Sequence, residues 1–271
     1  MKKMVKIVVV LTLFMLTVLP NSFAEKLVIK GSTTVLPIVQ KAAEAYMMQY
    51  PDVKISLSGG GSGNGIKAII DGTAQIGNAS RFIKQKEVDL AISKGVYPVP
   101  FRIALDAIVP VVNIKNDITN LTMNQLRDIY LGKIKNWKDV GGTPGEIVVI
   151  SRDSSSGTFG VWKKMVMKKK RVIPNALTVP SNGGIVQAVI TTPGAIGYVG
   201  LGYLNSQIKS VKVNGIQGTE ENTLNGSFPI SRGLFMFTKG WPVGVTMEFI
   251  SFVLSKKGQK LVKQAGSIPV F

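Results

Sequence analysis

The chain has 271 residues, with 33 Lys and Arg against 15 Asp and Glu, and neither histidine nor cysteine. Lacking those two residue types, it is excluded from Ser-His-Asp and Cys-His catalysis, from the usual imidazole or thiolate metal sites, and from disulfide stapling. A formal charge of +18 points instead to an anionic partner: nucleic acid, an anionic surface or a small anion.

Residues 1–24 have the form of a secretory signal peptide: Lys2, Lys3 and Lys6 lead, Ile7 to Leu19 is apolar, and Ser22-Phe23-Ala24 is a small-x-small cleavage site. The apolar run is shorter than the roughly 20 residues a spanning helix needs. Cleavage after 24 of the 271 residues leaves 247 beginning at Glu25, and removal of three lysines takes the charge from +18 to +15. That length suffices for two modest α/β lobes. With no cysteine to carry a lipid, the expected product is a soluble periplasmic protein, or one anchored by an uncleaved leader; a monomer is expected. Export argues against nucleic acid. The cluster Lys168-Lys169-Lys170-Arg171 reads as a solvated helix end.

Leu27 to Lys30 reads as a strand that runs into Ser32-Thr33-Thr34, and a helix follows from about Pro37, a residue suited to a first helical turn. A second strand, Val53 to Leu57, enters the glycine-rich loop Ser58 to Gly65, whose hydroxyl is Ser62, before a short helix that stops at Asp71-Gly72. The loop lacks the Gly-Lys-Ser/Thr ending of a phosphate loop and the dinucleotide spacing of glycines. A third strand, Ala74 to Ala79, ends in Ser80-Arg81. Three strand C-termini thus carry hydroxyls to one sheet edge, where open α/β sheets bind ligands.

A helical patch over Lys86 to Ser93 precedes the long extended run Ile103 to Val112, which reads as a strand crossing into a second lobe. A helix is expected over Leu121 to Tyr130, another around Ile185 to Ile190, and a strand after Pro193-Gly194. Asn225 to Phe237 reads as the return crossing, and helices over Pro242 to Leu254 and Lys256 to Ala265 pack on the first lobe. Alternating strands and helices imply mainly parallel sheets flanked by helices. The division expected is 25–106 with 233–271 in lobe 1 and 107–232 in lobe 2.

The stretch Arg152-Asp153-Ser154-Ser155-Ser156-Gly157-Thr158 lies between a strand-like run, Glu146 to Ile150, and a helix through Phe159, Trp162 and Met165. Such a helix start directs N–H groups and partial positive charge at one point, and Arg152 offers a planar fork suited to an oxyanion. The ordinary reading of the same loop is an N-cap made by Ser154 or Ser155, with Arg152 paired to Asp153. Carboxylates are few and none pair at a convincing spacing. The donors suit holding an oxyanion rather than transforming it, so no enzyme and no cofactor is expected.

Taken together, Gly31 to Pro37, Gly61 to Gly65, Ile76 to Arg81, Arg152 to Thr158, Thr192 to Tyr198 and Phe228 to Arg232 resemble the phosphate-binding subunits of bacterial phosphate ABC transporters, within the type II periplasmic binding proteins. The resemblance implies two α/β lobes joined by two crossing segments, closing on one phosphate ion and delivering it to a membrane permease. Carried over by motif, Thr33, Thr34 and Ser62 contact phosphate from the first lobe and Arg152, Ser156, Gly157 and Thr158 from the second. Ser32, Ser80 and Arg81, at the same strand ends, are expected among the phosphate-binding residues. Where enterobacterial members have an aspartate that accepts the phosphate's proton, this chain has Arg81. Facing the ligand, Arg81 would favour the dibasic ion; turned away, it would pair with an acid such as Asp153 or Asp106. The nearest alternative is a protein of the same fold for sulfate or molybdate. A secreted enzyme acting on phosphorylated compounds would also explain the charge but lacks a nucleophile–base pair.

Overall fold

The computed structural model describes residues 25–271; the expected signal peptide lies outside the described residues. Strand β1 (Lys26–Gly31), helix α1 (Leu36–Gln49), β2 (Lys54–Gly60), α2 (Ser62–Ile70), β3 (Ile76–Ala79) and α3 (Gln85–Ser93) come first. The crossing strand β4 (Val99–Asn113) leads to β5 (Asn120–Leu121), α4 (Met123–Tyr130), β6 (Val148–Arg152), α5 (Gly157–Met165), β7 (Leu177–Val179), α6 (Asn182–Thr191) and β8 (Ala195–Gly200). After β9 (Ile208–Ser210), β10 (Lys212–Val213) and α7 (Glu220–Leu224), the chain returns through β11 (Ser231–Thr238) to α8 (Gly244–Leu254) and α9 (Lys256–Gln264).

One nine-stranded sheet runs in the order β2-β1-β3-β11-β4-β8-β6-β7, with β9 on β4. Its outer parts are parallel: β1 with β2 and β3, and β6 with β8 and β7. The centre is antiparallel, because β4 and β11 run opposite ways between the lobes and pair from Val99↔Thr238 to Ala107↔Ser231. The architecture is the two-lobed α/β fold expected, with β4 and β11 as the two crossing segments.

Two main cores flank the crossing. One gathers Leu27, Ile29, Val39, Tyr46, Ile103, Leu234, Phe249 and Val262; the other gathers Ile108, Val109, Tyr130, Trp162, Tyr198, Phe228 and Ile230. Tyr198 and Trp162 stack with centroids 4.3 Å apart, and the Tyr130 hydroxyl donates to Ile150 O at 3.1 Å. These contacts fix the end of β6, where Arg152 lies. Burying such aromatic and branched side chains contributes about 1.5–3 kcal/mol each.

Several elements differ from the sequence reading. The glycine-rich stretch is not a loop: β2 extends to Gly60 and α2 begins at Ser62, so the turn is made at Gly60 and Gly61, with φ of 113° and 99°. Only glycine adopts such φ values without strain. The α5 cap is Ser156, whose hydroxyl accepts from the Phe159 N–H at 3.1 Å, not Ser154 or Ser155.

Candidate functional site

Each expected hydroxyl lies at a strand C-terminus or a helix start, and most of them converge on the junction between lobes. Ser32, Thr33, Thr34, Ser62, Ser80, Arg152, Ser156 and Thr158 are all buried. The Ser32 hydroxyl accepts from the Thr34 N–H at 3.2 Å, shaping the turn that presents Thr33 and Thr34. Ser62 Oγ accepts from the Ser80 N–H at 2.9 Å and lies 3.2 Å from Ser80 Oγ. The two lobes meet directly: Thr34 Oγ1 is 3.1 Å from Thr158 Oγ1, and the Gly63 N–H donates to Ser155 O at 2.9 Å. A β-carbon on Gly157 would lie 2.2 Å from Ser62 Oγ and 2.6 Å from Ser80 Oγ. Glycine is therefore required there for the lobes to approach this closely.

Arg152 is 3% exposed. Its Nε donates to Val179 O at 3.1 Å and Nη2 to Pro180 O at 2.8 Å, which locks the side chain against the start of α6. Nη1 is buried with no protein partner. Burial lowers the guanidinium's pKa and nearby Asp153 opposes that shift; the group stays charged throughout the ordinary pH range. The expected Arg152–Asp153 pair is only a 3.9 Å contact, with Asp153 one-third exposed. A buried, charged donor left unpaired costs free energy unless an acceptor meets it.

Arg81 departs from the ligand-facing expectation. Its Nη1 and Nη2 grip Glu87 at 2.8 and 2.6 Å, and Nη1 also donates to Phe82 O. Glu87 accepts as well from the Lys84 N–H at 2.9 Å, at the start of α3. Neither Asp153 nor Asp106 is the partner. Glu87 wins because it stands six residues along the same lobe, on the first turn of the next helix. The alkyl part of Arg81 packs over Gly160 of α5, where a β-carbon would lie 3.3 Å from Arg81 Cδ.

Residues outside the expected set complete the cluster. Arg232, on β11, is bidentate to Asp106 on β4, with Nε and Nη2 at 2.9 and 2.7 Å from Oδ2. Its Nη1 donates to Thr158 Oγ1 at 3.0 Å and to Ser80 O at 3.2 Å, and Nη2 to Thr34 Oγ1 at 3.3 Å. Asp106 Oδ1 accepts from the Leu201 N–H at 2.9 Å. Asn182 Nδ2 donates to Thr33 Oγ1 at 3.1 Å and Thr34 Oγ1 at 3.0 Å. The sequence signal for Asp106 is a carboxylate within the apolar run Ile103 to Val112, and for Arg232 the one charge in β11. Buried charges of this kind are paired. Asp106 and Arg232 cancel, whereas Arg152 is offset only by the 3.9 Å contact to the part-exposed Asp153.

Strand ends and a helix start from two α/β lobes, joined by crossing strands and facing one buried group of donors, define a two-lobed ligand-binding protein. A PBP superfamily domain matches residues 20–257. The chain is 32% identical to phosphate-binding protein PstS of Bacillus subtilis (strain 168) over 247 residues, covering 90% of this chain and 80% of that one. PstS of Borreliella burgdorferi is 30% identical over 283 residues, covering 100% and 99%. Among solved structures, a phosphate ABC transporter substrate-binding protein from Clostridium perfringens with bound phosphate superposes with a TM-score of 0.85 at 35% identity, covering 91% of this chain and all of that one. The chain belongs to the PstS phosphate-binding protein family within the PBP superfamily.

Proposed function

We propose that this protein is a receptor for inorganic phosphate that hands the ion to the membrane permease of an ABC transporter. The observation that carries the proposal is Arg152: a buried cation, locked in place on two sides, with Nη1 lacking any protein acceptor. An oxyanion supplies what that nitrogen lacks. Around it, the Ser156, Gly157 and Thr158 segment opens α5, whose N–H groups and dipole suit the same ion. Thr33, Thr34, Ser62 and Ser80 approach from the first lobe. Relatives named for phosphate binding, one of them solved with bound phosphate, support phosphate over sulfate or molybdate.

We assign 25–106 with 233–271 to the first lobe and 107–232 to the second, a division supported by the two cores changing over between Ala104 and Ala107 and between Ile230 and Leu234. The ligand contacts are Ser32, Thr33, Thr34, Ser62, Ser80, Arg152, Ser156, Gly157 and Thr158. Arg81 has Nη1 and Nη2 taken by Glu87, while its buried Nε has no protein partner. The protein acts as an exported, periplasmic monomer without catalytic activity, a reading supported by relatives named as binding proteins. Calorimetric titration of ligand-stripped protein with phosphate, sulfate and molybdate in separate runs tests the reading. Phosphate is expected to bind at least 100-fold more tightly than the other two, a difference of about 2.7 kcal/mol. Equal or tighter sulfate or molybdate binding overturns it.

A further inference from the structure

The first lobe has two ends, and the candidate site uses only one of them. Ser32, Ser62 and Ser80 follow the C-terminal ends of β1, β2 and β3. Because β3 and β4 both pair antiparallel with β11, β4 starts and β11 finishes at the opposite end. The turns α1–β2, α2–β3, α3–β4 and β11–α8 are therefore neighbours there. The Tyr97 N–H donates to Lys239 O at 3.1 Å, the Gln75 N–H donates to Val28 O at 3.0 Å, and Lys94 Nζ lies 2.7 Å from Asp71 Oδ1.

Singly exposed apolar side chains are ordinary on a protein surface. Here they are concentrated. Of the twelve large apolar residues exposed among the described residues, six lie at or beside these turns: Met48, Tyr50, Ile92, Tyr97, Trp241 and Val243. Trp241 and Val243 are 70% and 79% exposed, and the Trp241 ring is steadied from one side by Phe101, with centroids 6.0 Å apart. The same end carries the exposed lysines Lys26, Lys54, Lys94 and Lys239. Its acids are Glu25, Asp52 and Asp71, and Asp71 is already bonded to both Lys67 and Lys94.

We propose that this end of the first lobe docks reversibly on the anionic surface of a lipid bilayer, with Tyr97, Trp241 and Val243 entering the headgroup region and the lysines meeting lipid phosphates. Tryptophan and tyrosine suit that layer because each has an apolar body and a polar atom to keep wet. Lysines beside an anionic leaflet add attraction that grows with their number. A flat surface can touch all the turns at one end together. The described chain also begins here, at Glu25, and the 24 residues before it combine three lysines with the apolar run Ile7 to Leu19. The proposed leader thus joins the fold at this end, which is the end nearest the bilayer as export finishes. A second copy of the chain fits less well, since it would bring lysines against lysines. The phosphate site, at the other strand ends, stays clear of the lipid. Failure to bind phosphate would leave this inference standing.

The test uses the chain from Glu25 onward, which holds every element of the fold; a retained leader would bind lipid by itself. Co-sedimentation is measured with vesicles of phosphatidylcholine alone and of phosphatidylcholine mixed equally with phosphatidylglycerol, at low and high salt. Trp241 is the reporter, because Trp137 and Trp162 are buried. The expected result is binding to the anionic vesicles that weakens with salt, with blue-shifted tryptophan emission and protection from acrylamide quenching. Trp241→Ser and Val243→Asp should each weaken that binding by about 10-fold or more and leave phosphate affinity unchanged. No binding to the anionic vesicles at low salt overturns the inference. Binding without any change in emission overturns it too, and moves the lipid contact to other cations such as Lys168 to Arg171. So does full binding by both variants. Self-association without vesicles that either variant abolishes assigns the surface to a second copy, against the inference. If Trp241→Ser does not fold, Val243→Asp and the wild-type emission still decide.

Discussion

Replacing Gly157 with alanine tests lobe closure without removing a single hydrogen-bonding group from the site. The added β-carbon would lie 2.2 Å from Ser62 Oγ, 2.6 Å from Ser80 Oγ and 3.0 Å from Ser62 Cβ. Ordinary contacts of this kind begin near 3.4 Å, so the lobes must part by roughly 1 Å. That separation takes the 3.1 Å Thr34–Thr158 contact and the 2.9 Å Gly63–Ser155 bond past effective hydrogen-bond distance. An ion spanning the junction then loses one or two charge-assisted bonds worth about 1.5–3 kcal/mol each. The total, roughly 2–5 kcal/mol, weakens phosphate binding by about 30- to 4,000-fold. Ligand-free stability should not fall, because alanine suits a helix better than glycine and an open molecule has no clash. Calorimetry against phosphate, with thermal melting of the ligand-free protein, measures both. Affinity within about threefold of wild type, with the melting temperature unchanged, would refute the idea that the closed junction is the bound form.

Arg152→Ala should weaken phosphate binding by about 10- to 100-fold or more, whereas Lys169→Ala, on an exposed turn, should leave it near wild type; similar losses in the two variants would sink the site assignment. Closure of the lobes about β4 and β11 should give a smaller radius of gyration by small-angle scattering at saturating phosphate than in ligand-stripped protein, and an unchanged radius counts against it. Glu87 is predicted to matter in a pH-dependent way. Its burial raises the pKa, but the bonds from Arg81 and the Lys84 N–H outweigh that and hold the carboxyl below its usual value. The contribution is therefore complete above the ordinary carboxylate range and lost as pH falls through the lowered value. Glu87→Gln should cost about 1–3 kcal/mol of unfolding free energy at pH 7 and progressively less in acid, measured by urea denaturation; a difference constant with pH would be evidence against the pairing.

The order of elements was legible in the sequence because it rests on local pattern. The apolar run of β4, the proline in the first turn of α1 and the hydroxyl-bearing ends of β1 and β3 are visible without any neighbour. The absence of histidine and cysteine excludes whole classes of chemistry on composition alone. The motif from Arg152 to Thr158 marked the second lobe's share of the site, since a strand followed by small polar residues and a helix start is itself a local pattern. Short pieces such as β5, β7, β9, β10 and α7 left no such trace, being too short for a period to register. Side-chain partners were beyond the sequence for a different reason. Arg81 had three acids to choose from, and the choice fell on Glu87 because α3 begins within reach of it. Asp106 and Arg232 are 126 residues apart and meet only because β4 and β11 run antiparallel through the centre of the sheet. Asn182 reaches Thr34 across 148 residues only when the lobes are together. Pairing of buried polar groups is dictated by what desolvation leaves unsatisfied, and desolvation is a property of the closed tertiary structure.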